Sequence, residues 1–278
     1  MSAPPESPAD HAWVNSYAVA RWHTLLRAIA ALNAALWSLA AVAVARQHAI
    51  GSASYLQLLL SALYVAGCAF RSALPVFDIP RLVLVDSRLS SVLIGRSVAT
   101  VAELCFAAQW ALILHRTALL SGSSVVHAAS LAVLPLIAVA EGCSWHAVLT
   151  TGQRGHVVEN SIWGLAAALA VAGMLAIGPH RLAALYPPMV LWCLGGAAYV
   201  AFIFGFDVPM YWSRWRADQA SGRRYLSIAG GFVEVRRRGT VSCRWQDWKN
   251  EMPWMSLYFT FGVWCSISLV YASLALGG

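Results

Sequence analysis

Lysine is almost missing from this chain. Of 19 basic residues only Lys249 is lysine, and Asp and Glu together number 12 in 278 residues. Charged residues make up 11%, against about 25% in soluble domains, which excludes an ordinary soluble globular fold. The last hydrophobic run has no lysine, so the retinal Schiff base of seven-helix photoreceptors has no attachment point. None of the six cysteines stands in a CxxC pair, which removes the common zinc and dithiol motifs; five fall in apolar runs and read as reduced, small hydrophobic residues. The histidines form neither the HxxxH nor the HxxHH boxes of membrane hydroxylases and desaturases. A GxSxG elbow, a HExxH pair, a Walker loop and a Rossmann fingerprint are also missing. There is no nucleic-acid motif. The N-terminal MSAPPESPADH is acidic and Pro-rich, lacks the basic region of a signal peptide and reads as a disordered tail.

What remains is apolar: 59% of residues are hydrophobic. The pattern predicts an all-α, polytopic membrane helix bundle of about seven transmembrane helices. They run over about 24–45, 52–74, 92–114, 124–151, 157–177, 182–206 and 254–276. Each is close to the roughly 20 residues that cross about 30 Å of hydrocarbon. The expected organisation is a tail and interfacial lead-in over 1–23, with Trp13, Tyr17, Arg21 and Trp22. A six-helix membrane bundle follows over 24–206, a basic Trp/Arg-rich loop over 207–253 and the seventh helix over 254–278. No convincing internal repeat is found. Pro135 is expected to kink the fourth span.

Basic residues concentrate on one side. Counting loops gives roughly thirteen against three, with Arg46, Arg116 and Arg181 on the sparse side, which places the N-terminus and the basic loop in the cytoplasm and the C-terminus outside. This fits a bacterial inner membrane, with anionic lipid headgroups as candidate partners of the basic loop. In that loop FVEVRRRGTVSCRW alternates loosely, which suggests a short hairpin turning at Arg238-Gly239. The apolar LVLV of the second-to-third loop is expected to lie along the interface.

The chain is organised around Glu141 to Trp163, where one span ends, turns at Thr151 to Gly155 and the next begins. Glu103 and Glu141 fall roughly 15 Å deep by helical rise. A carboxylate at that depth costs several kcal/mol unless it faces the bundle interior, so such groups mark function. Arg96 precedes Glu103 by seven residues and shares its side of the helix, ready for a carboxylate or an anionic substrate group. His156, Glu159, Asn160 and Trp163 follow i, i+3, i+4, i+7 spacing on one face of span five. Helix-bundle metal sites use Glu-x-x-His pairs; here the order is reversed and occurs once. Glu141 and His146 are about 140° apart around a helix, so both face inward only if the helix is distorted near Gly142. Asp207, two residues before Pro209, is expected to end span six, with Tyr211, Trp212 and Trp215 as aromatic anchors. Glu251 and Trp254 approach the same mouth. His115, His127 and His180 read as interfacial.

Glu103, Glu141, Glu159 and Asp207 are therefore the candidate catalytic residues. Arg96, Trp145, Asn160, Trp163 and Tyr211 are the candidate substrate-binding residues, and His146 and His156 the candidate ligands of iron or zinc. The leading expectation is a membrane-embedded enzyme acting on a lipid-like or apolar substrate by acid/base or metal-assisted chemistry. A proton- or ion-coupled transporter, using the same carboxylates, and a structural or assembly subunit are the alternatives. A transporter needs polar groups toward the outer side, where the sequence offers Gln109 and a few serines.

Overall fold

The computed structural model describes residues 8–47, 52–177 and 186–276, with the side chains of Asn15 and its predecessors and of Tyr186 left aside. His48, His180, Arg181 and the expected start of span six at Leu182 lie outside the described residues, as does the side chain of Trp13.

Seven helical stretches are long and apolar enough to cross a membrane: Ser16–Gln47, Ala53–Ala73, Val92–Ser121, Ser124–Thr150, Gln153–Ile177, Pro187–Ala220 and Met252–Ala275. The protein is an all-α polytopic bundle. Its elements in order are α1 (Pro8–Gln47), α2 (Ala53–Ala73), β1 (Val76–Phe77), β2 (Leu82–Val83), α3 (Val92–Ser121), α4 (Ser124–Thr150), α5 (Gln153–Ile177) and α6 (Tyr186–Phe202). A π-helical turn, Ile203–Asp207, leads into α7 (Val208–Ala220). Then come α8 (Ile228–Val235), β3 (Thr240–Val241), α9 (Trp245–Trp248) and α10 (Met252–Leu257). A second π-helical turn, Tyr258–Gly262, joins α10 to α11 (Val263–Ala275).

Local chemistry sets the helix ends. Ser91 and Ser123 each accept a hydrogen bond from the backbone N–H three residues on, from Ile94 and Val126, and so cap α3 and α4. Gly122 takes the left-handed conformation, φ 68°, that closes α3. α3 is central and packs against α2, α4, α5 and α11. One apolar core gathers α1, α2 and the α10–α11 span around Trp22, Tyr64 and Trp248; a second joins α3, α4, α5 and α6 around Ile113, Ile137 and Met174.

The structure corrects several expectations. Span three continues to Ser121 instead of ending near Leu114. Residues Pro8–His11, read as tail, are already helical, with Pro8 at a helix start, where its missing N–H is harmless. Asp207 does not stop span six. The π-turn widens the helix just ahead of Pro209, which then falls in the first turn of α7, and the helix runs on to Ala220.

The 207–253 segment is not a loop: it continues span six to Ala220, and residues 221–251 form a folded cap in which FVEV is helical, not half of a hairpin. β3 pairs instead with β2, parallel, Leu82 opposite Thr240 and Val83 opposite Val241, and β1 pairs antiparallel with β2. The LVLV stretch therefore supplies the middle strand of a small three-stranded sheet, with Val83 buried. Arg81 ties the cap together: it pairs with Glu234 of α8 and donates to the Val148 carbonyl of α4 at 3.1 Å. Trp248 is fully buried and donates to the Ser242 carbonyl at 2.9 Å. The face carrying this cap, the 74–91 loop and the turn at Thr151 and Gly152 is the basic face of the molecule.

Candidate functional site: one arginine held by three glutamates

Near the basic face, α3, α4 and α5 each send a glutamate toward a common point. Arg96, one turn into α3, reaches that point with a single nitrogen. Its Nη2 donates to Glu141 Oε2 at 2.7 Å, to Glu159 Oε1 at 3.3 Å and to Glu103 Oε2 at 3.4 Å. All four side chains are buried, Glu141 most deeply, at 3% residual exposure. Helical side chains lean toward the N-terminus of their helix, so Glu103 leans back toward Arg96, two turns before it on the same face.

Glycine brings the third helix close. A Cβ on Gly155 would stand 2.5 Å from the Cys143 carbonyl and 2.7 Å from Ala147 Cβ. The start of α5 therefore lies directly against the end of α4, which sets Glu159 and His156 beside Glu141. A bulkier residue there would push the helices apart.

A second layer of hydrogen bonds orients the carboxylates. Thr100, four residues after Arg96, donates to Glu141 Oε2 at 2.6 Å, and the Trp145 indole donates to the Thr100 hydroxyl at 3.0 Å. His156 Nδ1 lies 2.7 Å from Glu159 Oε2, and the imidazole packs on Tyr211, ring centres 5.0 Å apart. Asn160 donates to the His156 carbonyl at 2.8 Å. Arg96 Nε and Glu141 Oε1 are buried with no hydrogen-bond partner among the described residues.

Farther toward the basic face lies a mouth. Asp207, Tyr211 and Arg214 follow i, i+4, i+7 spacing along the π-turn and α7, and the Arg214 guanidinium sits 5.5 Å from the Tyr211 ring centre. Glu251, just ahead of α10, feels the charges of Arg214, Asp78, Asp207 and His156; burial pushes its carboxyl up to about 7. Trp254 stacks on Phe202 and leans on Tyr258, with ring centres 6.0 Å and 5.5 Å apart.

Most of the residues singled out from the sequence meet here. Glu103, Glu141, Glu159, Arg96 and His156 form the centre, and Asp207 and Tyr211 the mouth. Trp145 and Asn160 hold other site groups in place. Trp163 is half-buried and packs into the core among α3, α4, α5 and α6. His146 is exposed on the outer face of α4; the 140° offset from Glu141 is not absorbed, because α4 stays regular through Gly142. Thr100 was missed, although its place one turn after Arg96 on the same face is a signal that the sequence carries.

The residues present do not fit an iron or zinc site. One carboxylate oxygen from each of Glu103, Glu141 and Glu159 lies within 4.8 Å of the others, an all-oxygen set without the imidazole or thiolate that zinc sites use and without the histidines that accompany glutamates in iron-binding bundles. The Arg96 nitrogen already stands among them, and a cation there would have to displace a guanidinium of like charge. His146 is exposed and faces away. What the arrangement can do is hold charge whose sign and size depend on protons. No family model, no curated protein and no solved structure matches this chain.

Proposed function

We propose that this integral membrane protein is a proton-coupled transporter whose loading site is the Arg96–Glu103–Glu141–Glu159 cluster. The observation that carries the reading is the sharing of one guanidinium nitrogen by three carboxylates from three helices. With all three ionised, one arginine leaves an excess of negative charge. A low-dielectric interior penalises such an excess, so taking up and releasing protons is the chemistry this cluster is built for. His156, bonded to Glu159 and facing Tyr211, links the cluster to the mouth formed by Asp207, Arg214 and Glu251. By the positive-inside rule the basic excess of the cap supports a reading with that mouth on the cytoplasmic side of a membrane of the bacterial inner type, and anionic headgroups against the exposed arginines of the cap.

A second reading rests on the Glu159–His156 pair, which has the form of an oriented general base. It is the membrane-embedded enzyme acting on a lipid-like substrate. It requires room beside the carboxylates, and Arg96 Nη2 fills the space between them, which ranks it second.

The test is proton flux into vesicles that carry a pH-sensitive dye and a potassium-diffusion potential. Reconstituted protein is expected to carry flux that Glu141→Gln reduces about tenfold or more. Flux no greater than that of empty vesicles overturns the reading. Flux unchanged in Glu141→Gln removes the cluster from it.

A further inference from the structure

α8 is too short to be a span, yet one side of it is apolar and free. Its eight residues run about 12 Å. Ile228, Phe232 and Val233, with Ala229 between them, share one face and are 57%, 46% and 55% exposed, whereas Gly231 and Val235 on the opposite face are buried.

The contacts of α8 fix how it lies. Just ahead of it the Leu226 backbone N–H donates to the Thr150 carbonyl at 3.0 Å. Gly231 lies against the Leu149 carbonyl, and Arg81 bridges Glu234 to the Val148 carbonyl. From one end of α8 to the other, its contacts on α4 shift only from Thr150 to Val148, about 3 Å of helical rise. α8 therefore crosses the end of a membrane span steeply and lies close to the membrane plane. The 27 residues of α4 reach about 40 Å, more than the roughly 30 Å of hydrocarbon, so its last turn enters the headgroup layer. Leu149 also continues the stripe of Gly142 and His146, at i, i+4, i+7, and both of those are exposed on the outer side of α4. α8 thus sits at the rim of the bundle, with its free face turned away from the bundle.

Charge decides what covers that face. Between Ser221 and Gln246 six arginines stand against one acid, Glu234, and Arg81 already pairs with that acid. Arg223, Arg238 and Arg244 are paired with Asp218, Asp86 and Asp247. Arg224, ahead of α8, and Arg236 and Arg237, at its end, have no ion pair among the described residues. Arg236 continues the stripe of Ile228 and Phe232, so its stem can lie along the apolar face while its guanidinium reaches the phosphates.

We propose that α8 is an interfacial helix: Ile228, Phe232 and Val233 seat in the boundary between headgroups and chains of the adjoining leaflet, and Arg224, Arg236 and Arg237 bind its anionic phosphates. Arginines alone would meet anionic lipid by charge at the water surface; the apolar face adds depth, and makes α8 the element through which the lipid holds the cap. The inference adds a site to the headgroup contact of the reading above and does not depend on proton transport.

The test is site-directed spin labelling of the full chain in vesicles. Cys243, the exposed cysteine, is first replaced by serine. Labels then enter at Phe232→Cys and Val233→Cys, and at Gln246→Cys as an exposed position elsewhere in the cap. Collision with oxygen reports lipid, and collision with a water-soluble nickel complex, present on both sides, reports water. In vesicles containing phosphatidylglycerol the labels at 232 and 233 are expected to favour oxygen, and the label at 246 to favour nickel. In phosphatidylcholine alone, or with Arg224, Arg236 and Arg237 all changed to glutamine, the preference at 232 and 233 should fall severalfold, because each arginine near an anionic surface contributes about fivefold in binding. Nickel access at 232 and 233 equal to that at 246 in both lipids overturns the proposal and leaves the face open to a soluble protein. An oxygen preference that ignores both lipid charge and the arginines overturns anionic lipid as the partner. Because 232 and 233 point away from Gly231 and Val235, the labels leave the docking of α8 intact. Proton flux is not read, so this inference and the transporter reading fail separately.

Discussion

Arg96 and Glu141 are joined by a 2.7 Å contact between two buried side chains on adjacent helices, and the other oxygen of Glu141 has no hydrogen-bond partner among the described residues. The contact is the shortest of the three that Arg96 Nη2 makes. Removing the arginine therefore leaves three carboxylates facing each other in the bundle. Arg96→Met is expected to destabilise by about 3–5 kcal/mol, as breaking a buried pair does. Glu103→Gln, at the longest contact, should cost far less. Denaturant unfolding in mild detergent, followed by tryptophan fluorescence, ranks the two. Equal losses would mean that the contacts are not graded as the distances say.

Thr100 stands between the Trp145 indole and Glu141. Thr100→Val keeps the shape and deletes both bonds, leaving an indole N–H and a carboxylate less satisfied; about 1–3 kcal/mol should be lost. Trp145→Phe removes the donor and leaves the Thr100–Glu141 bond, so its effect on proton flux should be the smaller. A larger effect from Trp145→Phe would show that the indole acts through something other than Thr100.

Glu251 sets a pH dependence at the mouth. Its folded carboxyl is pushed up to about 7 by burial, above an unfolded value of about 4.3. A raised carboxyl contributes stability that is complete below the unfolded value and is lost as pH rises through the folded one. Stability should therefore fall from about pH 4.3 to about pH 7, and Glu251→Gln should flatten that fall. A melting-temperature series across this range, wild type against variant, reads it directly. Asp247 works in the opposite sense. The Ser242 hydroxyl and then Arg244 hold its carboxyl below the usual range, so the stability it contributes is lost only as pH falls through that lowered value.

The cap is docked through Gly231. A Cβ there would stand 1.9 Å from the Leu149 carbonyl, which is backbone and cannot swing aside. Gly231→Ala is expected to lift α8 from the end of α4 and open the 221–251 segment to protease under conditions in which the wild type resists cleavage. Unchanged resistance would mean that α8 is held by Arg81 and Val235 alone.

The seven spans were legible because hydrophobic length is a property of each segment by itself. That Glu103 and Glu141 lie at one level followed from counting residues along antiparallel neighbours, and the seven-residue spacing of Arg96 and Glu103 gave their shared face. What could not be read depended on contacts between segments. Nothing local in FVEV distinguishes a strand from the helix that Gly231 allows against Leu149. Asp207-Val208-Pro209 reads as a stop, because the π-turn that absorbs the proline is not written in the tripeptide. His146 was drawn toward the site by proximity in sequence, although its angle from Glu141 already argued against it. Gln109 and the serines toward the outer side were seen in the sequence, but the contacts of Ser61 and Ser266 with each other and of Ser266 with Gln109 become visible only when α2, α3 and α11 are set side by side.

The parallel pairing of β2 with β3 bears on how the molecule is made. Its two partners are separated by more than half of the chain, and four spans lie between them. While the ribosome is still delivering those spans, the strand holding Leu82 is paired on one side only, with β1, and Glu103, Glu141 and Glu159 can gather around Arg96 before β3 is in place. Closure of the basic face is thus deferred until the residues after Arg238 emerge. Biogenesis passes through a stage in which the charged centre is assembled and uncovered, and an insertion chaperone would meet it in that condition.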